Sequence, residues 1–247
     1  MTQGRAPRDA GERLFFVRVM RTGSTTLTRR MKQHLGDDAV YPARRHGGGV
    51  DAAVSVPALL SHWRAERGSI RAIAGHFPLA TVELLDAPFT TLTILRDPVE
   101  RTLSQLRRFR DVIPEYAGAD LETIYEDPWR FHHNIHDHMV RMFSLRAEEV
   151  LADGMWARFE HTRDRLERAK ERLESVDVVG IQERFDDLCE AVAQRFGWDL
   201  GEPLRAATTS GPPVDAAFRD RIANDNALDM ELYEFACGLV ERRAASR

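Results

Sequence analysis

The sequence predicts an α/β fold, a central parallel sheet flanked by helices with a helix-rich C-terminal half. Three observations carry this. Short apolar, β-branched runs recur along the chain, each is followed by a stretch with helical apolar spacing, and the turns joining them are rich in Gly, Ser, Thr and Arg. With 247 residues, 43% of them hydrophobic, there is enough apolar material for one large domain, expected over residues 13–247. Residues 1–12 are polar and rich in Gly, Pro and Arg, and are expected to be a disordered lead-in.

The first strand is read at Leu14 to Val19, with a helix from about Ser24 to His34. Residues 36–56 are turn-rich and centred on Arg44-Arg45-His46-Gly47-Gly48-Gly49, which reads as a loop. A short helix covers Pro57 to Arg67, a second strand Ile70 to Ala74, and a helix with Pro in its first turn Pro78 to Leu85. Phe89 to Leu95 is the clearest strand. It ends at Arg96-Asp97-Pro98, where Asp97 suits an N-cap and Pro98 the first position of a helix to about Arg110. Leu121 to Arg172 is largely helical in pattern, and Arg163 to Glu174 alternates charge in the manner of a solvated face. Val176 to Ile181 is a fourth strand, Glu183 to Phe196 an amphipathic helix, and Asn226 to Arg243 a closing helix.

The informative turns all follow strands, where ligands bind in open α/β sheets. After the first strand comes Arg21-Thr22-Gly23-Ser24-Thr25-Thr26. Gly23 permits an unusual φ, the hydroxyls add donors, Arg21 adds fixed positive charge, and the helix that follows points its positive end at the turn. That combination suits a phosphate-type anion, although a strand-to-helix turn with a Ser or Thr cap has the same appearance. The Gly-x-x-x-x-Gly-Lys-Ser/Thr signature is not met, which counts against ATP or GTP hydrolysis. After the Phe89 to Leu95 strand, Arg96 and Ser104 can face the same space, and a guanidinium with a hydroxyl suits a phosphate monoester.

Taken together, these two segments resemble the PAPS-dependent sulfotransferase family. Arg21 to Leu27 is similar to the family's 5′-phosphosulfate loop, Pro-Lys-Thr-Gly-Ser-Thr-Ser, and Leu95-Arg96-Asp97-Pro98-Val99-Glu100-Arg101-Thr102-Leu103-Ser104 to its 3′-phosphate segment. Asn134 to Phe143, Val179-Gly180-Ile181-Gln182-Glu183-Arg184-Phe185, and Asn226, Asp229, Leu232 and Tyr233 resemble further motifs of the carbohydrate O-sulfotransferase branch. Gly75-His76-Phe77 resembles the segment carrying the catalytic His in the heparan sulfate 2-O-sulfotransferase-like enzymes. The resemblance spans about residues 13–240.

The resemblance implies a P-loop-related three-layer fold and the donor 3′-phosphoadenosine 5′-phosphosulfate (PAPS), with 3′,5′-adenosine bisphosphate as product. It implies that Arg21, Thr22, Gly23, Ser24, Thr25 and Thr26 grip the 5′-phosphosulfate and that Arg96 and Ser104 grip the 3′-phosphate. Gly180 to Phe185 is placed near the adenine, and Gly201 to Val214 in the position of a late cofactor-covering loop. The implied catalytic pair is Arg21, for charge on the leaving phosphate, and His76, the base for a saccharide or small-metabolite hydroxyl. One departure is chemical: the family carries Lys where this chain has Arg21, and Met20 replaces a Pro. A small-molecule kinase and a non-catalytic nucleotide-binding relative remain the alternatives.

Other readings narrow the class. Net charge is −4, so no global basic field invites nucleic acid. No apolar run reaches membrane-spanning length and the start has no signal-type core, so a cytoplasmic protein without membrane insertion is expected. Cys189 and Cys237 sit in helical patterns and read as buried free thiols. His132, His133, His136 and His138 cluster, and positions 132 and 136 share a helical face. With no Cys or His-Glu-x-x-His pattern beside them, no metal is assigned; His136 and His138 are reserve bases and Glu83 a weaker one. Arg44, Arg45, Arg107, Arg108 and Arg110 could meet an anionic acceptor or simply be solvated. Oligomeric state is not legible.

Overall fold

A computed structural model describes residues 12–47, 50–198 and 213–246. Five strands, β1 (Leu14–Val17), β2 (Val40–Tyr41), β3 (Ala72–Gly75), β4 (Thr90–Leu95) and β5 (Val178–Ile181), form one all-parallel sheet in the order β2-β3-β1-β4-β5. Phe15 stands opposite Ile73 on one side and Thr91 on the other, and Leu92 opposite Val178. β1, β3 and β5 are buried along their whole length, as expected for a sheet covered on both faces.

Successive strand residues feed two different cores. Leu14, Phe16, Ala72, Ala74, Leu92 and Ile94 pack under α1 (Ser24–Leu35), through Leu27 and Met31, and against Leu188, Ala191 and Val192 of a later helix. Phe15, Val17, Ile73, Leu95, Val179 and Ile181 face the other way, together with Leu59, Leu60 and Trp63. This period of two, with apolar residues at both parities, produces three layers. The helices between α1 and β4 are α2 (Val50–Val54) and α3 (Val56–Glu66); α4 (Pro98–Val112) follows β4. Asp97 caps α4 by accepting the Glu100 N–H at 2.9 Å, with Pro98 at the first position.

Beyond α4 the chain is mainly helical. It runs through α5 (Leu121–Tyr125), α6 (Pro128–Arg130), a π-helical segment at Phe131–Ile135, α7 (His138–Ser144), α8 (Ala147–Leu151) and α9 (Arg163–Ser175). After β5 come α10 (Phe185–Phe196), α11 (Ala216–Asp225) and α12 (Ala227–Ala245). A satellite core joins Leu103, Leu106 and Phe109 of α4 with Ile124, Tyr125, Phe218 and Ile222.

Several sequence expectations need correction. Residues 36–56 contain the edge strand β2, too short to show any periodicity. Pro78 to Leu85 winds as a 3₁₀-helix over Leu79–Leu84, and α11 was not anticipated. Both thiols are free but only partly buried. Glu12 belongs to the fold, since it pairs with Arg195 and accepts from the Thr90 hydroxyl. Residues 1–11 and most of Gly201 to Val214 lie outside the described residues. Among the described residues, no helix is long and apolar enough to cross a membrane.

The late helices are joined by a reciprocal cap. The Asp229 carboxylate, in the first turn of α12, accepts the Met139 N–H at 3.0 Å and the Val140 N–H at 2.8 Å, both in the first turn of α7. In return Asp137 accepts the Asp229 N–H at 2.9 Å, and Asn226 accepts the Asp137 N–H at 2.9 Å. Two helix N-termini thus share two fully buried carboxylates, which satisfy donors that would otherwise lack partners. Burial, with the neighbouring Asp137 charge adding to it, lifts the Asp229 carboxyl well above the usual range, while Arg101 and the two N–H groups pull it back. Asp229→Ala is expected to lower unfolding stability by about 2–4 kcal/mol, because buried N–H groups lose their acceptor. Urea denaturation followed by circular dichroism measures this.

Candidate functional site

β1 and β4 are neighbours, but the chain leaves them in opposite directions. From β1 it crosses toward the β2 edge, and from β4 toward the β5 edge. A crevice therefore opens beyond the carboxyl ends of this pair, the position where open α/β sheets bind ligands. The turn after β1 and the start of α4 both face it.

The turn is held in an unusual conformation. Arg21 has φ 66° and Gly23 has φ 77°, both in the left-handed region. Gly23 adopts this freely. Arg21 does so at a cost of about 1–2 kcal/mol, a strain that persists only when the surroundings impose it. The Thr22 hydroxyl, fully buried, donates to the Val19 carbonyl at 3.0 Å and pins the turn from below. Gly23 is the N-cap of α1 with no side-chain cap, and no acidic residue stands in the first turn. The positive end of α1 is thus left to whatever enters the crevice. Ser24 is buried against Arg18, while Thr25 is exposed and Thr26 half-buried.

The two sequence-derived anion segments meet. Arg21 Nε donates to Ser104 Oγ at 3.0 Å, and Arg96 Nη1 donates to the Arg21 carbonyl at 3.2 Å. Arg21, Arg96 and Arg108 lie close enough that the Arg21 pKa is lowered, by burial first and then by those two like charges, with Asp111 opposing. Arg96 has two carboxylates at the outer edge of ion-pair range, Glu100 at 3.9 Å and Glu183 at 4.0 Å, and its buried Nε has no hydrogen-bond partner. The third motif arrives from β5. Gln182 lies over Gly23, with its side chain 3.5 Å from where a Cβ would stand, and its buried amide oxygen has no partner. Glu183 accepts the Asp97 N–H at 3.3 Å and the Tyr233 hydroxyl at 3.0 Å.

His76 follows β3 on the far side of β1. Its Nδ1 lies 2.7 Å from the Arg18 carbonyl, so Nδ1 carries the proton and Nε2 keeps its lone pair. Burial, and then the Arg18 charge, depress its pKa to about 4, against the raising effect of the carbonyl bond. Arg18 also reaches an open cleft of about 690 Å³ lined by Thr25, Thr28, Arg29, Lys32, Asp37 and Arg44. Four cations against one carboxylate make this the basic face beside the crevice.

Other expected positions are spoken for. Arg45 pairs with Asp38 at 2.9 Å and Glu66 at 2.8 Å, and Glu83 with Arg172 at 2.8 Å. Arg107 and Arg110 line a smaller hollow with Asp120 and Glu122. His138, a reserve base, is 1% exposed with no partner on either ring nitrogen, and burial drives its pKa well down. Sequence reasoning missed Arg18; it offered Arg108 only as a contact for an anionic acceptor and Gln182 only within the segment placed near the adenine. A charge ending the apolar run at Arg18 was the available signal, whereas Gln182 reaches Gly23 only through the fold.

No protein-family model and no curated protein matches the chain.

Two measurements follow from this geometry. Gly23→Ala puts a side chain at φ 77° and is expected to cost about 1–2 kcal/mol in chemical denaturation. His76 binds its proton less readily folded than unfolded, so its stability contribution is full above the unfolded value near 6.5 and is lost as pH falls toward about 4. In His76→Gln, stability is expected to fall less steeply across that window than in the wild type, as read from urea midpoints against pH.

Proposed function

We propose that the crevice binds 3′-phosphoadenosine 5′-phosphosulfate and that the protein is a sulfotransferase of P-loop-related fold. In this reading the sulfuryl group passes to a hydroxyl of a saccharide or small metabolite. The observation carrying it is the Arg21–Ser104–Arg96 junction. Two segments that suit an anion, far apart in sequence, share one crevice in which the guanidinium groups of Arg21, Arg96 and Arg108 lie close enough to repel. The uncapped end of α1 supplies N–H groups for the 5′-phosphosulfate, and Arg96 with Ser104 supplies the grip on the 3′-phosphate.

The chemistry is an in-line displacement. The acceptor oxygen attacks sulfur, the bond from sulfur to the bridging oxygen breaks, and its electron pair settles on the 5′-phosphate. Arg21 and the α1 N–H groups stabilise that developing charge. The acceptor proton passes to His76 Nε2, which the Arg18 carbonyl holds in the accepting tautomer. The donor's negative charges bring the imidazole pKa back up from about 4, so the base strengthens when the donor is in place. Positioning and electrostatics then supply most of the acceleration, as in phosphoryl transfer.

Calorimetry with adenosine 3′,5′-bisphosphate and ATP tests the donor site. The bisphosphate is expected to bind, and ATP to bind far more weakly. Arg96→Ala should cost about 1.5–3 kcal/mol, or about 10- to 150-fold in affinity. Preference for ATP, or an unchanged affinity in Arg96→Ala, overturns the assignment. With PAPS and a panel of hydroxylated acceptors, mass spectrometry is expected to detect sulfated product. His76→Ala should lower turnover with donor affinity nearly intact. Donor binding without turnover on any acceptor favours a non-catalytic nucleotide-binding protein.

A further inference from the structure

Three irregular features coincide at His136 and Asp137. The Phe131–Ile135 segment is π-helical, a winding often found at functional sites, and it ends at His136. Asp137 then adopts φ 41°, a left-handed conformation that swings its carboxylate inward, where it is only 2% exposed. His161, from the segment between α8 and α9, stacks on His136 with ring centroids 3.6 Å apart.

Asp137 Oδ2 lies 3.3 Å from His161 Nδ1 and 3.7 Å from a His136 ring nitrogen. Neither approach is an aligned hydrogen bond; His161 Nδ1, the nitrogen that faces Asp137, is buried without a hydrogen-bond partner, while the His136 nitrogen that faces Asp137 is Nε2. The other Asp137 oxygen is occupied by the Asp229 N–H, leaving Oδ2 as a single-oxygen donor. One donor atom from each of the three residues falls within a 4.8 Å span. A tetrahedral zinc site with 2.0–2.1 Å bonds has ligand–ligand edges of about 3.3 Å, near the two spacings seen, and the two stacked rings would turn apart on binding so that both in-plane lone pairs reach one ion.

We propose that His136, Asp137 and His161 form a site for a borderline transition-metal dication of the Zn²⁺ type, with water in the fourth position. Two imidazoles and a carboxylate are a donor set such ions favour, while Mg²⁺ and Ca²⁺ prefer all-oxygen sites. The bound ion would join the π-helical turn, the start of α7 and the approach to α9 at one point. The second His/Glu cluster, His46, His62 and Glu66, is differently placed. There His46 Nδ1 accepts the Ala43 N–H, and Arg45 holds the Glu66 carboxylate, so those donors are already used.

Titration of the full chain with CoCl₂, followed by competition with ZnCl₂, tests the site independently of any activity. One Co²⁺ per chain is expected, with the strong visible absorption of four- or five-coordinate cobalt, abolished by Zn²⁺. His161→Ala and the milder His161→Gln should each weaken binding by about 10–100-fold or more. His62→Ala should leave it unchanged. The proposal is overturned if the folded wild type gives only the weak spectrum of hydrated cobalt, a result that needs no variant to fold. It is also overturned if the strong band survives in His136→Ala/His161→Ala, or disappears in His62→Ala.

Discussion

The parallel pairing of β1 with β4, whose chains then depart to opposite edges, is the constraint on which the site depends. Had both connections crossed the same way, the turn at Arg21 and the start of α4 would not face one crevice. With the departures opposed, residues some 75 to 83 positions apart come within hydrogen-bond distance. Sheet register fixes the heights of the two strand ends: Val17 stands opposite Thr93, so β4 runs two residues further to Leu95 before Arg96. The crevice is therefore a by-product of topology, filled by the side chains that the two strand ends carry.

Those side chains are held ready at a local cost. Arg21 occupies a backbone conformation that an L-residue avoids, and its guanidinium lies close enough to those of Arg96 and Arg108 to be repelled by them. Strain and like-charge crowding of this kind lower stability, and negative charge placed among the guanidinium groups offsets the repulsion. Arg21, where the resembled loop has Lys, suits this arrangement. A forked guanidinium can hold the Ser104 oxygen through Nε while its remaining N–H groups stay directed elsewhere, which a single ammonium does less rigidly.

Much of this was legible in the sequence because it is written in local patterns. The apolar runs marked β1, β3, β4 and β5, and Asp97-Pro98 marked the start of α4. What escaped has physical reasons. β2 is a two-residue strand defined by its partner β3 alone, and α11 carries only two buried side chains, Phe218 and Ile222. Gln182 reaches Gly23 from a strand two places away in the sheet. His132 and His136 do share a face, ring centroids 6.3 Å apart, but His161, distant in sequence and absent from the pattern, stacks more closely on His136. Asp229 resembled a family motif without a visible purpose, and its purpose is to cap α7.

That reciprocal cap has a consequence for how the chain is made. Its hydrogen bonds link residues 89 to 92 positions apart. Closing so long a loop is entropically slow, and it cannot begin until the first turn of α12 has emerged from the ribosome. Until then the opening N–H groups of α7 have only water to bond. The central strands β1, β3 and β4 can assemble before α12 is made, while the wall built from α7 and α12 locks into place later.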